Sequence, residues 1–89
     1  MKILNLPPIT VEIEDIRGNI VKLVAKTISA KQANKINEVL DSKAPIGDKL
    51  LEQMVIVFGG KTKDYEIFDV RVLQRALDYF VQQMQNPTK

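Results

Sequence analysis

The chain holds no cysteine and no histidine. Without cysteine no disulfide can brace the fold, and no thiolate is at hand as a nucleophile or soft-metal ligand. A cysteine-free composition also agrees with a reducing compartment. Without histidine, the commonest general base near neutral pH and the commonest metal ligand are both missing. Carboxylates, lysines, serines and tyrosines remain. Glu12, Glu14 and Asp15 lie close together in a pattern that acid–base catalysis could use. On the wet face of a hairpin the same three charges oppose edge-to-edge aggregation, which accounts for them without chemistry. Ser29 has no base near it in the sequence and stands where a helix cap belongs. Gly59-Gly60-Lys61-Thr62 has the ending of a phosphate-binding loop. Position 55 is Val where that motif needs Gly, and these glycines close a helix instead of opening one. The expectation is a protein that is not an enzyme and uses no cofactor and no metal.

Long apolar runs are missing as well. No stretch approaches the ~20 residues of a membrane span. The first eight residues are interrupted by Asn5 and stopped by Pro7-Pro8, short of the roughly 7–15 apolar residues of a secretory signal. A cytoplasmic protein without a membrane partner is expected. An excess of one charge is also absent: 13 basic and 11 acidic residues leave a net charge of +2. Glu12, Glu14, Asp15, Arg17, Lys22, Lys26 and Lys31 mix the signs, and no helix gathers Lys and Arg on one face. Nucleic acid is therefore not the expected partner.

What is present is an ordinary globular composition, 45% hydrophobic over 89 residues. That is one domain, with a stability of about 5 kcal/mol. Its class is α+β: an N-terminal β-hairpin followed by three α-helices. Residues 1–8 read as an extended arm, because Pro7-Pro8 disfavours helix and removes two backbone donors. The domain proper spans 9–86. Ile9 to Glu14 alternates apolar and polar, with Ile9, Val11 and Ile13 pointing inward. Arg17-Gly18-Asn19 supplies the turn. Ile20 to Thr27 returns, with Val21, Leu23 and Ala25 on one face and Lys22 and Lys26 on the other.

Ser29-Ala30-Lys31-Gln32 fits a capping box, so the first helix runs from Ser29 to about Leu40. Its expected stripe is Ala33, Ile36 and Leu40, with Val39 at the edge. Asp48 is the expected N-cap of a second helix, Lys49 to Phe58, which Gly59-Gly60 closes. That helix has few polar positions, so most of its surface should be covered. Tyr65 and Phe68 are expected to drop onto the core from a short segment. Asp69 caps the third helix, in which Leu73, Ala76, Leu77, Phe80, Val81 and Met84 recur at i, i+3 and i+4 and Asn86-Pro87 ends the run.

The second and third helices together carry more apolar side chain than a two-stranded hairpin and one helix can cover. A partner protein is one way to hide the surplus, and self-association is another. Met54, Phe58, Tyr65, Phe68, Phe80 and Met84 sit at core spacing. They are also the candidate lining of a groove for a helical partner, since methionine adapts to varied apolar surfaces.

Three segments carry a resemblance to a known family. Thr27-Ile28-Ser29-Ala30 is similar to its entry into the first helix. The segment from Asp48 to Gly59 is similar to its apolar helix with a closing aromatic-Gly. Phe68-Asp69-Val70-Arg71 is similar to its aromatic-acidic step before the last helix. On these segments, within residues 9 to 85, the chain resembles the tail assembly chaperones of long-tailed, siphovirus-like bacteriophages and prophages. It departs from their pattern at Lys61-Thr62-Lys63, where an aromatic followed by acidic residues is expected. The resemblance implies a protein that coats the long, helical, apolar tape-measure protein while the tail tube polymerises around it. Weak contacts repeated by many copies along one target would suit that task. Two other readings stand beside it: a small structural subunit of a tail or other assembly, exchanging its N-terminal arm between neighbours, and a small nucleic-acid-binding regulator.

Overall fold

The alternation in the first third of the chain becomes an antiparallel hairpin, β1 (Ile9–Glu14) and β2 (Ile20–Ala25). Three helices follow: α1 (Ala30–Asp41), α2 (Ile46–Phe58) and α3 (Val70–Gln85), with a short 3₁₀ turn at Thr62–Tyr65. The fold is α+β, a hairpin followed by three helices, as expected. This is a computed structural model, and it describes residues 7–25 and 28–85. The expected arm through Leu6, the last two positions of the return strand, Lys26 and Thr27, and the stop at Asn86-Pro87 lie outside the described residues.

The strand register pairs Ile9 with Ala25, Val11 with Leu23 and Ile13 with Val21. Directly opposed residues share a face, so these six form one apolar side and pack against the helices. Thr10, Glu12 and Glu14 face Val24, Lys22 and Ile20 on the outer side. The turn corrects one expectation. Asp15 is not a third surface carboxylate beside Glu12 and Glu14; it is 8% exposed. Its Oδ1 accepts the backbone N–H groups of Arg17 (2.8 Å) and Asn19 (3.0 Å). A short carboxylate can close such a turn on its own backbone. Those N–H groups, Asn19 first, hold the Asp15 carboxyl below the usual aspartate value against the opposing effect of desolvation. Gly18 takes a positive φ of 89° at the same turn. The Ile16 N–H donates to the Ile67 carbonyl at 2.9 Å, tying the hairpin tip to the approach to α3.

The capping box forms as expected. Ser29 Oγ accepts from the Gln32 N–H (3.2 Å), and Gln32 Oε1 accepts from the Ser29 N–H (2.9 Å). Ser29→Ala should therefore cost about 1 kcal/mol, read as a lower urea midpoint at unchanged slope. The stripe of α1 is rotated from the expected one: Val39 is buried and Leu40 is exposed. Ala33, Ile36 and Val39 step by three, an i±3 ridge laid against α2, which turns Leu40 toward solvent. Lys49 Nζ reaches back to the Leu40 carbonyl at 2.9 Å.

The start of α2 is also corrected. The helix begins at Ile46, with Pro45 in extended conformation (φ −57°, ψ 152°) as its cap residue. The Pro45 carbonyl accepts the Lys49 N–H at 3.1 Å. Proline needs no donor at that point, so the helix starts there. Asp48 falls within the first turn instead of capping it, where a carboxylate meets the positive end of the helix dipole. Gly59 and Gly60 both take φ of 82° after the helix, as a closing pair of glycines should.

Leu50, Met54, Val57, Tyr65, Phe68, Leu73, Ala76, Leu77 and Phe80 join Ile13 and Ala25 in one core cluster. Tyr65 and Phe68 drop inward as expected, and the Tyr65 hydroxyl donates to the Gly59 carbonyl. Burial pushes the Tyr65 phenol above its ordinary pKa, with the nearby Asp64 charge adding to the shift. Asp64 Oδ2 accepts the Lys61 N–H at 2.8 Å and so caps the 3₁₀ turn. Asp69 caps α3 through the Arg71 N–H (2.8 Å) and also pairs with the Arg71 guanidinium (2.8 Å).

Hydrogen bonds from the Arg71 side chain, then from its backbone, draw the Asp69 carboxyl down to about 2 from 3.8. A carboxylate depressed on folding stabilises the native state above its unfolded value, and that contribution fades as pH falls through the folded one. The Asp69 contribution should thus be complete above about pH 4 and be lost toward pH 2. Asp69→Asn should flatten the acid limb of a Tm-against-pH curve in that window.

Candidate docking surface

Physical placement divides the six sequence-derived candidates. Met54 and Phe80 are enclosed by the core, and Tyr65 and Phe68 are buried with them. Phe58 is half-buried and meets Phe80 edge to face, with ring centroids 6.2 Å apart at 68°. Met84 is 48% exposed. In the folded monomer, then, Phe58 and Met84 offer side-chain surface and the other four serve packing. The reason is local: Tyr65 and Phe68 come down over α2 and α3 from the connecting segment and cover apolar surface that helices alone would leave open.

The surplus has moved elsewhere. Leu50, Gln53, Met54 and Val57 face the core from α2, while Leu51, Val55, Ile56 and Phe58 are half-buried around them. Ile56 does not pack against the core cluster. With Val55 it floors an open groove between α1 and α2. One cavity of about 580 Å³ is lined by Lys31, Gln32, Asn34, Lys35 and Glu38 over Val55 and Ile56. A second, of about 300 Å³, adjoins it, sharing Lys35, Val55 and Ile56 and adding Val39, Glu52 and Thr62. Leu40 meets Lys49 at one end of the pair, and Lys31 shares a cavity with Ile56 at the other. The two helices are therefore antiparallel, and the groove follows both.

Its rim mixes charges: Lys31, Lys35 and Glu38 line the larger cavity, and Lys35 and Glu52 line the smaller. Lys35 and Glu38 form an exposed pair at 3.8 Å, a contact of little strength in water. The sequence signal for this groove was the all-round apolarity of α2. That pattern implies a mostly covered helix but does not say which side chain stays partly open, and here it is Ile56.

A separate apolar corner lies at the hairpin tip. Ile16 (71% exposed) and Ile20 (59%) flank the turn, and the Ile16–Ile67 hydrogen bond brings in Ile67 (40%) with Val70 (53%) three residues on. Sequence reasoning placed none of these four at a surface, because a turn residue such as Ile16 follows no helical or strand period.

Among the described residues no group of three or more Asp and Glu could hold a metal ion. No buried side-chain polar atom among them lacks a hydrogen-bond partner. No helix among the described residues is long and apolar enough to cross a membrane. Comparison with protein-family models, with characterised proteins and with solved structures finds no match to this chain.

Proposed function

We propose that this is a non-enzymatic protein-binding domain that holds an apolar helical client, and that it acts as a tail assembly chaperone of the long-tailed phage type. The observation that carries the binding function is the groove between α1 and α2. Its floor is Val55 and Ile56, side chains that an isolated surface helix would replace with polar ones. The chaperone assignment rests on the sequence resemblance through Ser29, the α2 segment and Phe68-Asp69. The client is a tape-measure-like protein, and the place of action is the cytoplasm of a bacterial host. A shallow groove with long lysine and glutamate rims suits a binder that must accept many stretches of one long helix and then leave. Each site is weak, and many copies on one client supply the avidity.

Co-expression tests the reading. A tape-measure fragment that precipitates alone should stay in the supernatant with this protein and co-elute with it. A fragment that precipitates equally with and without it would overturn the proposal.

The corner of Ile16, Ile20, Ile67 and Val70 favours a second reading, a structural subunit whose copies abut there. A subunit remains in finished particles and a chaperone does not, so mass spectrometry of purified particles separates the two.

A further inference from the structure

We infer that copies of this chain join edge to edge through the hairpin, the outer edge of β1 in one copy pairing with the outer edge of β2 in the next. The inference is independent of the client-holding function proposed above and concerns a different face of the molecule.

The turn fixes which backbone groups point outward. The Asp15 N–H donates to the Asn19 carbonyl at 2.9 Å, and the Gly18 N–H to the Asp15 carbonyl at 3.0 Å. With Gly18 at positive φ, these are the bonds of a three-residue hairpin loop with a glycine bulge. Asp15 and Asn19 therefore form a hydrogen-bonded pair. Such pairs alternate along an antiparallel ladder. Ile13–Val21, Val11–Leu23 and Ile9–Ala25 thus bond to each other, while Glu14–Ile20, Glu12–Lys22 and Thr10–Val24 turn their N–H and C=O groups away from the partner strand. The Ile16 N–H, next in the outward series, is taken by the Ile67 carbonyl. Among the described residues nothing takes the backbone groups of Thr10, Glu12 and Glu14 on one edge, or of Ile20, Lys22 and Val24 on the other. Open edges of this kind are templates for another strand.

The side chains select which edges meet. All six are exposed, on the sheet face opposite the helices. Helix charges therefore do not stand between them. Glu12, Glu14 and Lys22 make no ion pair among the described residues. Residues directly opposed across strands interact, and like charges there are unfavourable. In full overlap, β1 against β1 sets Glu12 on Glu12, and β2 against β2 sets Lys22 on Lys22. Only β1 against β2 sets carboxylate on ammonium. Repeating the register of the hairpin itself puts Glu12 on Lys22, Glu14 on Ile20 and Thr10 on Val24, and covers the flanks of two exposed β-branched side chains. Each copy then offers a different edge to each neighbour, so the assembly grows by addition and does not stop at a two-fold dimer. A joint of one short strand pair is weak, so association belongs to high protein concentration.

Sedimentation velocity of the full chain tests this from micromolar to millimolar concentration. The weight-average coefficient should climb past that of a dimer, and further at low salt than at moderate salt. Proline at an outward position removes only a free donor. Glu12→Pro should close the β1 edge and Lys22→Pro the β2 edge, with far-UV circular dichroism checking that each keeps the fold. Each alone should stay monomeric. Mixed in equal amounts they share one usable joint and should stop at a dimer. Should a proline variant unfold, charge reversal replaces it. Glu12→Lys with Glu14→Lys, and separately Lys22→Glu, should each self-associate roughly three- to tenfold more weakly than wild type, and mixing the two should recover wild-type association.

A wild type that stays monomeric throughout overturns the inference. A folded Glu12→Pro or Lys22→Pro that still self-associates overturns it too, since like edges would then be pairing. So does a proline mixture that forms no dimer, or a charge-reversed mixture that recovers nothing. None of these results touches co-expression with a tape-measure fragment, which decides the client-holding function separately.

Discussion

Phe80→Ala is expected to remove about 3–5 kcal/mol of stability, most or all of what a domain of this size possesses. Phe80 lies at the meeting point of α2 and α3, almost wholly enclosed, with its ring and that of Phe58 in an edge-to-face contact. Removing it takes away the transfer energy of a full aromatic ring and opens a cavity bounded by Phe58, Leu77 and the rest of the cluster. Phe58 alone cannot collapse into that space, since it is anchored on α2 just before the Gly59-Gly60 turn. The edge-to-face contact, about 0.5–1.5 kcal/mol beyond area burial, is lost as well. Far-UV circular dichroism at 25 °C should show a chain that is largely unfolded or that melts at once on warming. Met84→Ala, one turn further along the same stripe but half-exposed, should change the urea midpoint only slightly. Comparable losses at both positions would mean that the last turn of α3 is buried in solution by something beyond this monomer.

Gly60→Ala should be the second large effect, about 1–3 kcal/mol from backbone strain alone. Gly60 has φ of 82°, and a Cβ built on it would stand 2.7 Å from Asp64 Oδ2. That carboxylate cannot retreat without releasing the Lys61 N–H it caps. The methyl group therefore strains the backbone and dislodges the cap of the turn that delivers Tyr65 to the core. Gly47→Ala supplies the contrast. Gly47 lies in the first turn of α2, without a positive φ, and a Cβ there meets nothing within 4 Å. Alanine at 47 should stabilise the protein by about 0.4–1 kcal/mol, because it restricts the unfolded chain without strain. Thermal melts of the two variants should move in opposite directions. A Gly60→Ala protein as stable as wild type would show that the Gly59–Asp64 connection is not held in this conformation.

Much of the local chemistry was legible. Ser29 with Gln32, Asp69 before an apolar period, and Gly59-Gly60 after one are instructions written within four residues, and the structure obeys each of them. Where a stronger neighbouring instruction stood, the weaker was overruled: Pro45 started α2 three residues ahead of Asp48. Asp15 was misread for a related reason. Its side chain answers to Arg17 and Asn19, and the period-two count of the strand gives no notice of that. The candidate site was legible only as a quantity, an apolar surplus on α2 and α3, and its address was not. Helical spacing names the residues on a face but cannot say how much of that face a crossing segment will cover.

The sequence by itself determined the hairpin, the three helices, most of their ends and the core spacing of Met54, Leu73, Ala76, Leu77 and Phe80. These follow from propensity, capping and periodicity, which act over a few residues. Only the tertiary structure decided that Val39 and not Leu40 meets α2, and that Ile56 is left as the floor of a groove between α1 and α2. Those outcomes depend on how the helices cross and where the connecting segment lands. Burial is settled by the whole packing arrangement, and no single stretch of chain encodes it.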